Sequence, residues 1–105
     1  MNAFSIASAL RLLELLIDAG TICEPENSDL IGEDGGALNA AVAALKRDDV
    51  AEAVERLNAA VLLAAQPLAP SAPRHVIKKR AHLLRVAKSA RQLLRLGIKA
   101  EGGAA

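Results

Sequence analysis

Nine cations and no carboxylate lie between Arg74 and Lys99: Arg74, Lys78, Lys79, Arg80, Arg85, Lys88, Arg91, Arg95 and Lys99. On a helix, steps of three and four residues put side chains on one face. Arg74, Lys78, His82, Arg85, Lys88, Gln92, Arg95 and Lys99 follow such steps. A basic helical face can track phosphates or enter a DNA major groove, each phosphate contact releasing counterions. Arg85, Lys88, Arg91, Arg95 and Lys99 are therefore the candidate anion- or partner-binding face. From Met1 to Pro73 the balance reverses, with four cations against eleven carboxylates. The net charge of +1 hides this division. Either the two parts pair with each other or the basic helix meets an anionic partner. In an antiparallel hairpin about residues 67–73, Asp48, Asp49, Glu52 and Glu55 would face Arg85, Lys88 and Arg91. Lys79 and Arg80 break the pattern, falling toward the apolar arc of the same helix.

Other chemistry finds little footing. His75 and His82 are seven residues apart, about 10.5 Å along a helix, too far to share a metal. Cys23 is the single cysteine, so no disulfide closes within the chain and a reducing compartment is the natural setting. The acids Glu24, Glu26, Asp29, Glu33 and Asp34 lack the order of a calcium loop and read as a solvated loop. No nucleophile elbow or phosphate-cradling loop is present, and Gly35-Gly36 alone signals little. The expectation is a non-enzyme without catalytic residues, metal, cofactor or small-molecule substrate. Phe4 is the only aromatic residue, which removes both base-stacking platforms and the usual aromatic anchors of an interface.

The elements that position these residues are helical. Leu and Ala make 40 of the 105 residues, and both favour helix. Asn2 or Ser5 can cap a first helix over about 3–19, which Gly20 stops. Leu10, Leu13 and Ile17 form one stripe there. Phe4, Ile6, Leu12, Leu15 and Leu16 widen it around most of the circumference. A helix so apolar must be covered on most sides. This predicts a homodimer with Leu10, Leu13 and Ile17 in the contact. Arg11, Glu14 and Asp18 interrupt the stretch, which argues against a signal peptide or a membrane span. A soluble cytoplasmic chain is the expectation.

Residues 37–66 contain neither Gly nor Pro, yet the apolar phase changes within them. Leu38, Val42 and Leu45 share one face; Val50, Val54, Leu57 and Val61 share another, about 120–140° away. The change falls at Lys46-Arg47-Asp48-Asp49, and Asp49 with Glu52 has capping-box spacing. Two helices, 37–46 and 49–66, follow from this. Residues 67–73 (PLAPSAP) read as a stiff linker in preference to a polyproline ligand. A last helix over 72–97 is expected, capped by Ser71 and ended by Gly97. Its apolar arc is Val76, Leu83, Val86, Ala87, Ala90, Leu93 and Leu94. The whole reads as one all-α bundle of four helices over 1–100, or three if 37–66 is continuous, completed by dimerisation, with a disordered tail at 101–105. The functional expectation is a small protein–protein interaction or accessory module. A nucleic-acid-associated protein is the alternative.

Overall fold

The computed structural model describes residues 3–19, 25–31 and 36–103, and side chains within 6–17, 26–31 and 36–97. Four helices make an all-α bundle: α1 Ala3–Ala19, α2 Ala37–Lys46, α3 Val50–Ala65 and α4 Arg74–Gly103. A short 3-10 turn, Pro25–Asn27, lies between α1 and α2. At 1.5 Å per residue, the 30 residues of α4 span about 45 Å. This helix sets the length of a molecule measuring 51 × 22 × 17 Å. α1 packs chiefly on α4, α2 on α3, and α3 on α4.

The core is aliphatic. Leu13, Leu30, Leu38, Leu57, Leu83 and Leu94 are fully buried. Each such side chain contributes roughly 1.5–3 kcal/mol on leaving water. Buried alanines (Ala9, Ala41, Ala44, Ala53, Ala60, Ala87 and Ala90) let the helix axes approach between them. Of the arc expected on α4, all but Leu93 are buried, and Leu93 packs partly buried against the core.

The α2–α3 junction falls where the hydrophobic phase changes. The Asp48 N–H donates to the Leu45 carbonyl at 3.0 Å, and the Asp49 N–H to the Ala44 carbonyl at 2.9 Å. These two bonds form a Schellman closure of α2. Asp48 holds the left-handed position at φ 59°, where glycine is usual and aspartate is one of the tolerated substitutes. Asp49 then caps α3, its Oδ1 accepting from the Glu52 N–H at 3.1 Å. The return half of the capping box is absent, because the Asp49 N–H is already bound to Ala44. The Glu52 carboxylate instead pairs with Arg47 and Arg56. Asp48→Gly is expected to raise stability by about 0.5–1 kcal/mol in urea unfolding, since glycine meets no steric penalty there. A loss of stability would show that the Asp48 side chain carries a contact of its own.

The ends of α4 differ from the sequence expectation. The helix starts at Arg74, and the Pro73 carbonyl, not Ser71, takes the first amides, Val76 at 3.1 Å and Ile77 at 3.2 Å. Ala72 precedes a proline, which disfavours helical backbone there. Gly97 does not end the helix; it is buried within it, and α4 continues to Gly103. A glycine costs roughly 1 kcal/mol in a helix interior, but its missing side chain permits close packing. α1 begins at Ala3, so Ser5 lies inside it. The Asn2 cap, the Gly20 stop, Cys23 and residues 104–105 of the expected tail lie outside the described residues.

The acidic segment is not simply a solvated loop. Asn27, Leu30 and Ile31 are buried. The Leu30 and Ile31 amides both donate to the Asn27 carbonyl at 3.0 Å. The carbonyls of Asp29 and Leu30 accept from the Ala37 and Leu38 amides at 2.9 Å each. Those amides are among the four that the first turn of any helix leaves unpaired. Residues 21–24 and 32–35 lie outside the described residues.

Candidate interaction surface on helices three and four

Arg80 is the cation of α4 that turns inward. It is 6% exposed. Its Nη1 donates to the Asp29 Oδ1 at 3.1 Å and its Nη2 to the Asp29 Oδ2 at 3.0 Å, a bidentate pair. Nη1 also reaches the Glu26 carbonyl at 3.2 Å and the Asn27 Oδ1 at 3.3 Å. Nη2 reaches the Leu63 carbonyl at 2.6 Å. The Asn27 Nδ2 in turn donates to the Val76 carbonyl at 3.4 Å. One guanidinium therefore ties the 25–31 segment to α4 and to the end of α3. The fork of donors explains why arginine stands here; a lysine presents one compact charge. The break in charge pattern at Arg80 thus marks a structural clamp.

The other described cations of α4 are less buried, Lys79 being half-buried like Arg91. Arg74, Lys78, Arg85, Lys88 and Arg95 are exposed, and Arg91 is half-buried. The expected pairing of Asp48, Asp49, Glu52 and Glu55 with Arg85, Lys88 and Arg91 is not made. Among the described residues, Arg85 and Lys88 have no ion-pair partner. The Arg91 Nη1 and the Arg95 Nη2 both donate to one neutral oxygen, the Asn58 Oδ1, at 3.2 and 3.3 Å. The cause is register. The linker over 67–73 has little helical structure, and it slides α4 along α3. Leu63 comes beside Arg80 and Asn58 beside Arg91. A tight turn would have set position 58 near 80. Lys99 belongs to α4, and its side chain lies outside the described residues.

The three residues expected at a dimer contact are not equally reachable. Leu13 is fully buried within one chain, whereas Leu10 and Ile17 pack partly buried against the core. Packing on α4 and α2 covers most of the apolar girth of α1. Leu15, at 54% exposure, and the half-buried Leu12 remain on its outer side, beside Ala7, Ser8 and Arg11.

A second exposed apolar surface lies on α3 and α4. Leu62 is 69% exposed and Ile77 is 47% exposed. An open groove of about 390 Å³ runs between the end of α3, the linker and the start of α4. Ala65, Pro67, Leu68, Ile77, Ala81 and Leu84 are among its lining residues, and Arg80 is its only charged one. A hydrophobic count alone does not reveal this site. The available signal was Leu62, which stands about 100° off the Val54–Leu57–Val61 core stripe. Ile77 is likewise adjacent to, not on, the core arc of α4.

Among the described residues, no cluster of three or more His, Cys, Asp or Glu side chains is placed to hold a metal ion. No described helix is long and apolar enough to cross a membrane. The fold and this surface define an all-α bundle with an apolar groove that continues into a cationic face. Comparison with known proteins finds no matching family model, no similar curated protein and no similar solved structure.

Proposed function

We propose that this chain is a non-enzymatic α-helical interaction module that docks a protein partner on the α3–α4 face. The observation that carries this reading is the pair Leu62 and Ile77, large aliphatic side chains left in water beside a concave apolar groove. Monomers seldom leave contiguous apolar patches larger than a few hundred Å² open, and a concave patch with a charged rim suits a partner protein. Self-association belongs to the same reading, with Leu15 and Leu12 as the accessible part of α1. A cytoplasmic setting, in keeping with the lone Cys23, is also proposed.

A second reading is favoured by a different observation, the unpaired cations Arg85 and Lys88 on the outer side of α4. It makes the chain a nucleic-acid-associated protein, with Arg91, Arg95 and Lys99 extending the contact. Affinity capture from nuclease-treated extract of the source cell separates the two. The protein-partner reading expects proteins held by the native chain and lost from Leu62→Glu/Ile77→Glu. Retention of nucleic acid alone from untreated extract, released as salt rises, would replace it with the second reading.

A further inference from the structure

We propose that the valley between α3 and α4 takes an acidic amphipathic helix, with apolar anchors at one end and carboxylates at the other. This rests on the protein-docking reading and adds the chemistry of the partner. Along α4, Ile77, Ala81, Leu84, Lys88, Arg91 and Arg95 succeed one another in steps of four and three, which makes them a single ridge. That ridge is about 27 Å long. Its first half is apolar and its second half is cationic. On α3, Ala65, Leu62 and Asn58 form the facing ridge at the same helical spacing, and Asn58 is fixed to the cationic half by Arg91 and Arg95. The two halves of the valley therefore change character at the same level.

Charge decides the second half. Two guanidinium groups share one amide oxygen, and neither has a carboxylate partner among the described residues. Lys88 adds a third cation, while Glu55, one turn before Asn58, is the nearby acid on the α3 ridge. Three cations to one carboxylate leaves this end positive. A carboxylate arriving there would form charge-assisted bonds, roughly twice as strong as those to the neutral amide. The apolar half decides the class of partner. Phosphates would satisfy Lys88 and Arg95 but leave Leu62 and Ile77 in water. A helix laid in the valley, with Leu or Ile at i, i+4 and i+7 and acids beyond them, covers both halves.

The probe is a fluorescein-labelled synthetic helix carrying Leu at i, i+4 and i+7, then Glu at i+11, i+14 and i+18. An analogue with Lys in place of Glu and a labelled random-sequence DNA duplex accompany it. In fluorescence anisotropy the Glu peptide is expected to bind the full chain about tenfold or more tightly than the Lys peptide. Leu62→Glu and Ile77→Glu, both surface changes, are each expected to weaken it by about tenfold or more. Arg91→Glu/Arg95→Glu, which turns three cations and one carboxylate into one cation and three carboxylates, is expected to invert the preference toward the Lys peptide, a gain that a merely unfolded variant does not produce. Equal binding of the two peptides would overturn the acidic partner and leave protein docking standing. Glu-peptide binding unchanged by Leu62→Glu and Ile77→Glu would overturn the valley as its seat. Failure of both peptides with tight duplex binding would overturn this inference and the docking reading together.

Discussion

Replacing Asp29 with alanine is expected to lower folding stability by about 3 kcal/mol, more than removing Arg80 itself. The asymmetry follows from where each charge sits. Arg80 is nearly closed off from water, whereas the Asp29 side chain is 38% exposed. Without Asp29 the buried guanidinium keeps its charge and loses its one carboxylate partner among the described residues. Three neutral oxygens, on Glu26, Asn27 and Leu63, still face it, which holds the cost at the low end for a broken buried pair. Arg80→Met removes the buried charge and lets Asp29 hydrate, so about 2 kcal/mol is expected, from unpaired acceptors and lost packing. Arg80→Lys recovers little of this, because one ammonium cannot span Asp29 and the Leu63 carbonyl together. The double variant Asp29→Ala/Arg80→Met should be less destabilised than the sum of the singles. Urea unfolding of the four proteins measures all of this. A chain of this size has about 5–15 kcal/mol in total, so each loss shifts the midpoint visibly. A cost below about 0.5 kcal/mol for Asp29→Ala, the level of an ordinary surface change, would sink the clamp.

The second large effect lies at Leu13. Leu13→Ala is expected to cost about 2–5 kcal/mol, the range for emptying a filled core site. Leu13→Asp is expected to yield insoluble or unfolded chain instead of a folded monomer, because the side chain has no route to water. Leu15 is the control on the same helix. Leu15→Lys leaves the core intact and should change stability by less than about 0.5 kcal/mol. Light scattering then addresses self-association without unfolding the protein. Monomers from Leu15→Lys and dimers from the native chain would place the contact on the outer side of α1. A dimer that survives Leu15→Lys would move it elsewhere.

How much of this was legible in the residues depends on range. The bounds of α1 and α2, the break between α2 and α3, and the Asp49 cap are all local, and spacing alone carries them. The stop expected at Gly97 was a local rule overruled by packing, since Gly97 is buried against neighbours that sequence does not reveal. The Ser71 cap failed to a stronger local rule, the restriction that Pro73 places on Ala72. Arg80 was visible as a residue out of pattern. Its partners were not, because Asp29 lies 51 positions away and periodicity says nothing about such distances. The groove was hidden for the same reason. Leu62 and Ile77 look like two more aliphatic residues until the register of α3 on α4 leaves them uncovered. That register also undid the expected pairing of acids with the basic helix.

The turn between α2 and α3 has a consequence for how this gene can vary. Asp49 closes one helix with its N–H and opens the next with its carboxylate, so the junction contains no spare residue. Substitutions at 47 alter a surface and little else, whereas the left-handed backbone at 48 favours Gly, Asn or Asp. A single codon inserted or deleted there would rotate α3 by about 100° against α2 and carry Leu57 out of the core. Relatives of this chain should therefore keep the junction's length, with Gly, Asn or Asp at 48 and a capping side chain at 49, while insertions and deletions gather in segments such as 67–73, where no residue serves two helices at once.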